Sequence, residues 1–314
     1  MLRALTDDLL TLPEVELTVF RDDRLAARQS SLGASKLEMV HVGESDNFQA
    51  LWREWVAHCD AIWPIAPETG GVLEHLCEDV ESRGKTLLNS PASAVRLAAS
   101  KRATLNRLKR EGLVVAPTLP LVEWAETSVP IENRRVDTSF ILKPDDGVGC
   151  EGTQVIRGSA DLAMAPNAEN WIVQSLLEGE SLSLSALFAK GRARLLSCNR
   201  QLVARAGSGF IFQGCLVNAI PDDAGAWQNL SDEIARAIPE LWGYAGIDLI
   251  LTETGPVILE INPRLTTSYA GLREATSENT AALVLGLLTT GELPPPRNGY
   301  GKPVEIRPEK IHEH

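Results

Sequence analysis

The segment GIDLILTETGPVILEINPRL, residues 246–265, constrains this 314-residue chain most. Two apolar runs flank a Thr-Glu-Thr-Gly turn at 252–255, which predicts two antiparallel strands joined as a hairpin. Alternate side chains of a strand share a face, so Glu260 and Asn262 project together, with Asp248 on the partner strand. Carboxylates left unpaired inside apolar runs are costly, and the three oxygen-bearing side chains are expected to converge on something they bind. Two carboxylates and an amide oxygen suit hard Mg²⁺ held on phosphate, which prefers oxygen ligands and keeps waters at its remaining positions.

A second feature agrees. Residues 143–152 read KPDDGVGCEG, a lysine closing one predicted strand and three glycines before the next. Glycines let a backbone bend sharply and bring N–H groups close to an anion, although the same loop alone is equally consistent with a structural hairpin. It is not a Walker loop: the chain has no GxxxxGK[ST], and the Gly-Lys-Thr at 84–86 lacks the leading glycine. A net charge of −12 gives no broad positive field, so nucleic acid is not expected as a partner. The apolar run at 281–288 is far shorter than the roughly 20 residues of a membrane helix, and the acids of MLRALTDDLL do not suit a signal peptide. These readings predict a cytoplasmic protein without a membrane segment. Cys59, Cys77, Cys150, Cys198 and Cys215 contain no CxxC pair and are read as buried thiols.

Short apolar runs at 15–20, 38–42 and 61–66 alternate with helical patterns, which predicts βαβ units and a parallel sheet in residues 1–98. Glu68 follows the third run, at the strand end where ligands of α/β sheets gather; it either faces such a ligand or opens the next helix. One helix is predicted over 91–111, with Asn89 and Ser90 as caps and Gly112 as its stop. Strands at 140–144, 153–158, 171–177, 181–189 and 193–198 predict mostly antiparallel pairing, and a helix at 223–242 precedes the hairpin. The fold class is therefore α/β followed by α+β, with domains at 1–98 and 99–295, the latter divided near 173, and a loosely attached tail over 296–314.

Taken in chain order from about residue 89 to 288, these motifs resemble the ATP-grasp superfamily, in which a pre-ATP-grasp domain precedes a two-part ATP-grasp fold. The resemblance implies ATP and Mg²⁺, with Mn²⁺ as a possible substitute. It implies that Lys101 and Lys143 contact nucleotide phosphates, and that the loop with Asp146, Gly147, Gly149 and Gly152 folds over them. The adenine edge would meet the hinge Gln174, Ser175, Leu176 and Leu177, and the ribose Glu180; Gln174 departs from the commoner glutamate. Asp248, Glu260 and Asn262 match the magnesium ligands, and Arg264 the basic residue beside the transferred phosphoryl; Arg264 and Lys143 are the catalytic candidates.

IAPETGGVLEHL, LNSPASAVRLAASKRATLNRL, the NRQ at 199–201 and EINPRLTTSYAGL are similar to the carboxylate–amine ligases of methanofuran biosynthesis, the tyramine–glutamate ligase group. That implies an ADP-forming ligase acting on small-molecule carboxylate and amine substrates through an acyl phosphate, with a homodimer possible. The alternatives are a phosphotransferase on the same fold or a nucleotide-binding regulator. His41, His58, His75, His312 and His314 lie outside the motifs, so no histidine base is expected. Arg205 and Arg273 are further candidate cations for an acidic substrate, and RAGSGFIFQG at 205–214 is either a plain surface hairpin or a lid over an aromatic acceptor. Against that default for the cysteines, Cys150, inside the glycine loop beside lysines, is either an inert packed thiol or one more accessible and reactive than a core thiol.

Overall fold

The computed structural model describes residues 1–24, 36–126, 139–147, 149–156, 168–297 and 299–308. Helix α1 (Leu2–Leu10) leads to β1 (Leu17–Asp22), which pairs in parallel with β2 (Leu37–Val42). Helix α2 (Phe48–His58) returns the chain to β3 (Ala61–Ile62), and α3 (Val72–Ser82) carries it to β4 (Thr86–Leu87), parallel to β3. The parallel pairing expected here is present, but as two two-stranded sheets. The run at 61–66 leaves the ladder after Ile62, two residues before Pro64, which has no N–H to contribute.

The helix expected over 91–111 is two helices, α4 (Ala92–Ala99) and α5 (Lys101–Arg110). Ser100 between them is extended, and its Oγ accepts from the Ala103 N–H at 3.1 Å while donating to Asp145 Oδ2 at 2.6 Å. Asp145 Oδ1 also accepts from the Arg102 N–H at 2.8 Å. A serine cap locked by a distant carboxylate thus starts a new helix, and Lys101 becomes its first residue.

Strand β5 (Thr118–Pro120) and α6 (Leu121–Glu126) precede β6 (Phe140–Pro144), β7 (Gln154–Ile156) and β8 (Trp171–Ser175). Then come β9 (Glu180–Ala189), β10 (Arg192–Ala206), β11 (Gly209–Ile220), α7 (Ala226–Ala237), β12 (Gly243–Thr252) and β13 (Gly255–Asn262). Helices α8 (Tyr269–Thr276) and α9 (Thr280–Thr290) and strand β14 (Val304–Ile306) complete the order. Among the described residues, the large sheet runs β13-β12-β9-β10-β11-β7-β6-β8-β5, with β14 also on β11, and its paired strands are antiparallel. The tail expected to be loose is therefore held at 304–306, where Val304 is buried beside Val217 and Leu272. No described helix is long and apolar enough to cross a membrane.

The sequence SLSLSALF of β9 shows how the sheet divides its duties. Leu182, Leu184, Ala186 and Phe188 enter the core shared with α4, α5 and α7, each fully buried. A fully buried leucine or phenylalanine contributes about 1.5–3 kcal/mol, so this face holds the sheet to its helices. Ser181, Ser183 and Ser185 point the other way, into a polar layer beneath the last hairpin. Farther along that face, Leu187 packs in a second core with α1, α8 and α9.

Candidate active site

The hairpin forms as the sequence predicts, and its register brings Asp248 opposite Glu260 and Gly246 opposite Asn262. A one-residue shift follows Asp248, leaving Leu259 without a cross-strand partner. That bulge lets Ile258 and Ile261 both enter the core while Glu260 and Asn262 share the opposite face. Gly246 is required by packing: a Cβ there would stand 2.5 Å from Thr266 Cγ2, in the segment after β13 that carries Arg264.

Glu260, Asn262, Lys101, Asp146, Gly147 and Glu68 line one cleft. Lys101 Nζ lies 3.4 Å from Glu260 Oε2 and donates to the carbonyls of Asp145, at 3.3 Å, and Gly147. Asn262 Nδ2 donates to Asp248 Oδ2 at 3.2 Å, and Arg264 Nη2 reaches Asn262 Oδ1 at 3.4 Å. Arg264 Nε is paired with Glu68 Oε2 at 2.7 Å. Lys143, on β6, is buried in the same field, and burial brings its pKa down to about 8 against the pull of Glu260. Burial raises the pKa of Asp248, and the charge of Glu260 opposite raises it further. Glu260 is buried as well, yet Lys101 and Lys143 outweigh that burial and keep it ionised, with a lowered pKa. Two carboxylates pressed together, one held toward its neutral form, suit the binding of a cation. Among the described residues no three His, Cys, Asp or Glu side chains cluster as a metal site. An ion bringing phosphate and water oxygens of its own, as magnesium does, suits the smaller set of Asp248, Glu260 and Asn262.

The glycine loop folds back on Pro144. Gly152 has φ +69°, and a Cβ there would stand 3.0 Å from Pro144 Cδ; Gly149 has φ +61°. Asp146 ties this loop to the N-terminal segment, its carbonyl accepting from Thr69 Oγ1 at 3.0 Å and its Oδ2 from the Gly70 N–H at 3.2 Å. Cys150 is half-buried, more open than the buried Cys77, Cys198 and Cys215, while burial, then the charges of Glu260 and Asp248, push its thiol pKa up.

Farther along the cleft side of the sheet, the hinge is partly committed. The N–H groups of Ser175 and Leu176 already donate to Pro117 O at 3.2 Å and Ser139 O at 3.1 Å. Of those three hinge residues, Leu177 alone has an amide with no hydrogen bond to a described residue. Gln174 is buried and donates to Thr118 Oγ1 at 2.8 Å. Glu180 is paired with Arg200.

The substrate-side cations are corrected: Arg273 pairs with Asp8 at 3.1 Å, tying α8 to α1, and Arg205 stands exposed near the tip of the β10–β11 hairpin; neither lines the cleft. Of the two readings of residues 205–214, the structure shows the hairpin: 209–214 run in strand β11, Gly209 pairs with Gln154, and Ser208 O accepts from the Val155 N–H at 2.6 Å. Sequence reasoning also missed Gln201, whose Nε2 donates to Asp248 Oδ1 at 2.8 Å while its Oε1 accepts from Ser181 Oγ at 2.8 Å. Only the strand alternation of Ser181 and Asp248 hinted at that bridge.

Buried lysines, a glycine loop and oxygen donors meeting in one cleft beside an antiparallel sheet define a phosphate-handling architecture. The chain belongs to the ATP-grasp family, whose domain model matches residues 98–268, with the pre ATP-grasp 3 domain model matching 15–95. Enzymes of this family generally use ATP and Mg²⁺. The chain is 28% identical over 229 residues to tyramine–L-glutamate ligases of Methanocaldococcus jannaschii and Methanocaldococcus fervens, covering 73% of this chain and 63% and 66% of theirs. It thus spans a little under two thirds of those relatives. A biotin carboxylase from Campylobacter jejuni superposes with a TM-score of 0.73 at 15% identity, over 96% of this chain and 71% of that one.

Proposed function

We propose that this chain is an ADP-forming carboxylate–amine ligase that joins glutamate to a tyramine-like or tyrosine-like amine in the synthesis of a methanofuran-type cofactor. The observation that carries the reading is the meeting of Lys101, Glu260 and Asn262 at one cleft, with Asp248 and Arg264 hydrogen-bonded to Asn262 behind it and Lys143 buried in the same field. The glutamate and aromatic amine are taken from the relatives' names.

Lys101 and Lys143 receive the nucleotide phosphates, and Asp146, Gly147, Gly149 and Gly152 fold over them. Leu177 offers its amide to the adenine edge, with Gln174, Ser175 and Leu176 shaping the hinge, and Glu180 takes the ribose. Asp248, Glu260 and Asn262 would hold magnesium, which when bound neutralises charge on the phosphate oxygens. The substrate carboxylate attacks the γ-phosphorus, giving an acyl phosphate and ADP. Arg264 and Lys143 stabilise the charge that develops on the transferring phosphoryl. The amine then attacks the acyl carbon and phosphate departs, the ammonium proton passing to phosphate or water. No protein nucleophile takes part.

A panel pairing glutamate, aspartate and alanine with tyramine, tyrosine and aliphatic amines, read by ADP release and product mass, tests this. The expected product is a γ-glutamyl amide formed with one ADP. ADP release that follows a different acid overturns the substrate choice, and a stable phosphorylated product overturns the ligase.

A further inference from the structure

We propose that Glu68, through its Oε1, recognises a primary ammonium group of a substrate bound in the cleft; this rests on the ligase reading above. Glu68 and Arg264 are buried at 6% and 8% exposure, and their ion pair uses only Glu68 Oε2. Oε1 is shut off from bulk solvent and has no hydrogen-bond partner. Arg264 does not donate to Oε1: its Nη1 and Nη2 donate instead to Leu265 O at 3.1 Å and Asn262 Oδ1 at 3.4 Å. Lys101 is also occupied, by the carbonyls of Asp145 and Gly147 and by Glu260. Among the described residues, none donates to this carboxylate oxygen. A buried acceptor of this kind is costly unless something meets it, and an alkylammonium brings both charge and N–H groups.

Position makes the match specific. Glu68 sits on the segment that Thr69 and Gly70 bind to Asp146 of the glycine loop, and it shares the cleft wall with Lys101, Glu260 and Asn262. An ammonium anchored there stands beside the phosphoryl-transfer groups. It discriminates an amine from the alcohol, and an amino acid from the plain dicarboxylate. Two groups have this chemistry, the α-ammonium of the glutamate-like donor and the ammonium of the acceptor amine.

The test compares the wild type with Glu68→Gln, which preserves an acceptor for Arg264 but removes the charge. Michaelis constants for ATP, acid and amine are measured by ADP release, with glutarate and 4-ethylphenol as inhibitors lacking the amino group. The expected result is a rise of about 10-fold or more in the KM of one amino-bearing substrate with the KM for ATP unchanged. Preference for that substrate over its des-amino analogue should collapse. Collapse of the glutamate–glutarate preference assigns the donor's α-ammonium, and collapse of the tyramine–ethylphenol preference assigns the acceptor. If both KM values stay at wild type, or all three rise together through a disturbed Arg264, the proposal is overturned. Should Glu68→Gln not fold, the wild type still decides: glutarate and 4-ethylphenol binding as tightly as their amino counterparts also overturns it. A wild type that releases no ADP with any acid and amine removes the ligase reading itself; turnover with an indifferent Glu68 removes only this assignment.

Discussion

Two hairpins of one sheet are built to opposite specifications. β12 and β13 turn within residues 252–255, bury one face in the main core, and place Asp248, Glu260 and Asn262 where each has a hydrogen bond or ion pair. β10 and β11 extend over 15 and 12 residues, and their tip around 205–208 is exposed. A carboxylate persists in a buried ladder only where partners are provided, so its presence carries information about a site. Arginine, glycine and phenylalanine near an exposed tip carry little, because water satisfies the one and strand pairing uses the others. That is why the convergence of the three oxygen donors was readable in the sequence, whereas residues 205–214 left hairpin and lid both open.

The contrast is most strongly tested at Glu260. Glu260→Gln should lower ADP release by about 100-fold or more, the scale seen when one charge-stabilising group is removed from an active site. Retained turnover would place the carboxylates outside the chemistry. Next in size is Gly246→Ala, whose added methyl meets Thr266 Cγ2. Overpacking of this kind costs about 1–3 kcal/mol, to be read as a lowered denaturant midpoint together with reduced activity from a displaced Arg264 segment. An unaltered midpoint would mean that the segment yields freely. Gln201→Ala removes the bridge from Ser181 to Asp248, and a loss of about 1 kcal/mol in unfolding free energy is expected. At the other hairpin, Arg205→Ala should change stability by less than about 0.5 kcal/mol and leave ADP release near wild type. A large activity loss there would erase the distinction between the two hairpins.

Much of the architecture was legible where a single local rule sufficed. The strand at 140–144 was predicted to its ends, because FILKP is a short apolar run stopped by proline and acids. The common face of Glu260 and Asn262, with Asp248 on the neighbouring strand, followed from strand alternation and a tight turn. Features that depend on distant partners were not legible. The break at Ser100 needs Asp145, forty-five residues downstream, and the bulge at Leu259 is visible only once Ile258 and Ile261 must share a core. Local composition suggested a Cys150 more open than a core thiol, but not the upward push on its pKa, which comes from burial and from the distant Glu260 and Asp248. The free oxygen of Glu68 likewise emerges only when Arg264, 196 positions away, occupies the other one.

The central claim, that this cleft activates a carboxylate by phosphoryl transfer, is tested most directly with hydroxylamine. The protein is incubated with Mg-ATP, glutamate and hydroxylamine, and ADP and hydroxamate are measured together. The account predicts γ-glutamyl hydroxamate in equal amount to ADP, and neither product from Glu260→Gln. ADP formed without hydroxamate for every acid supplied, or formed equally by the Glu260→Gln protein, would contradict it.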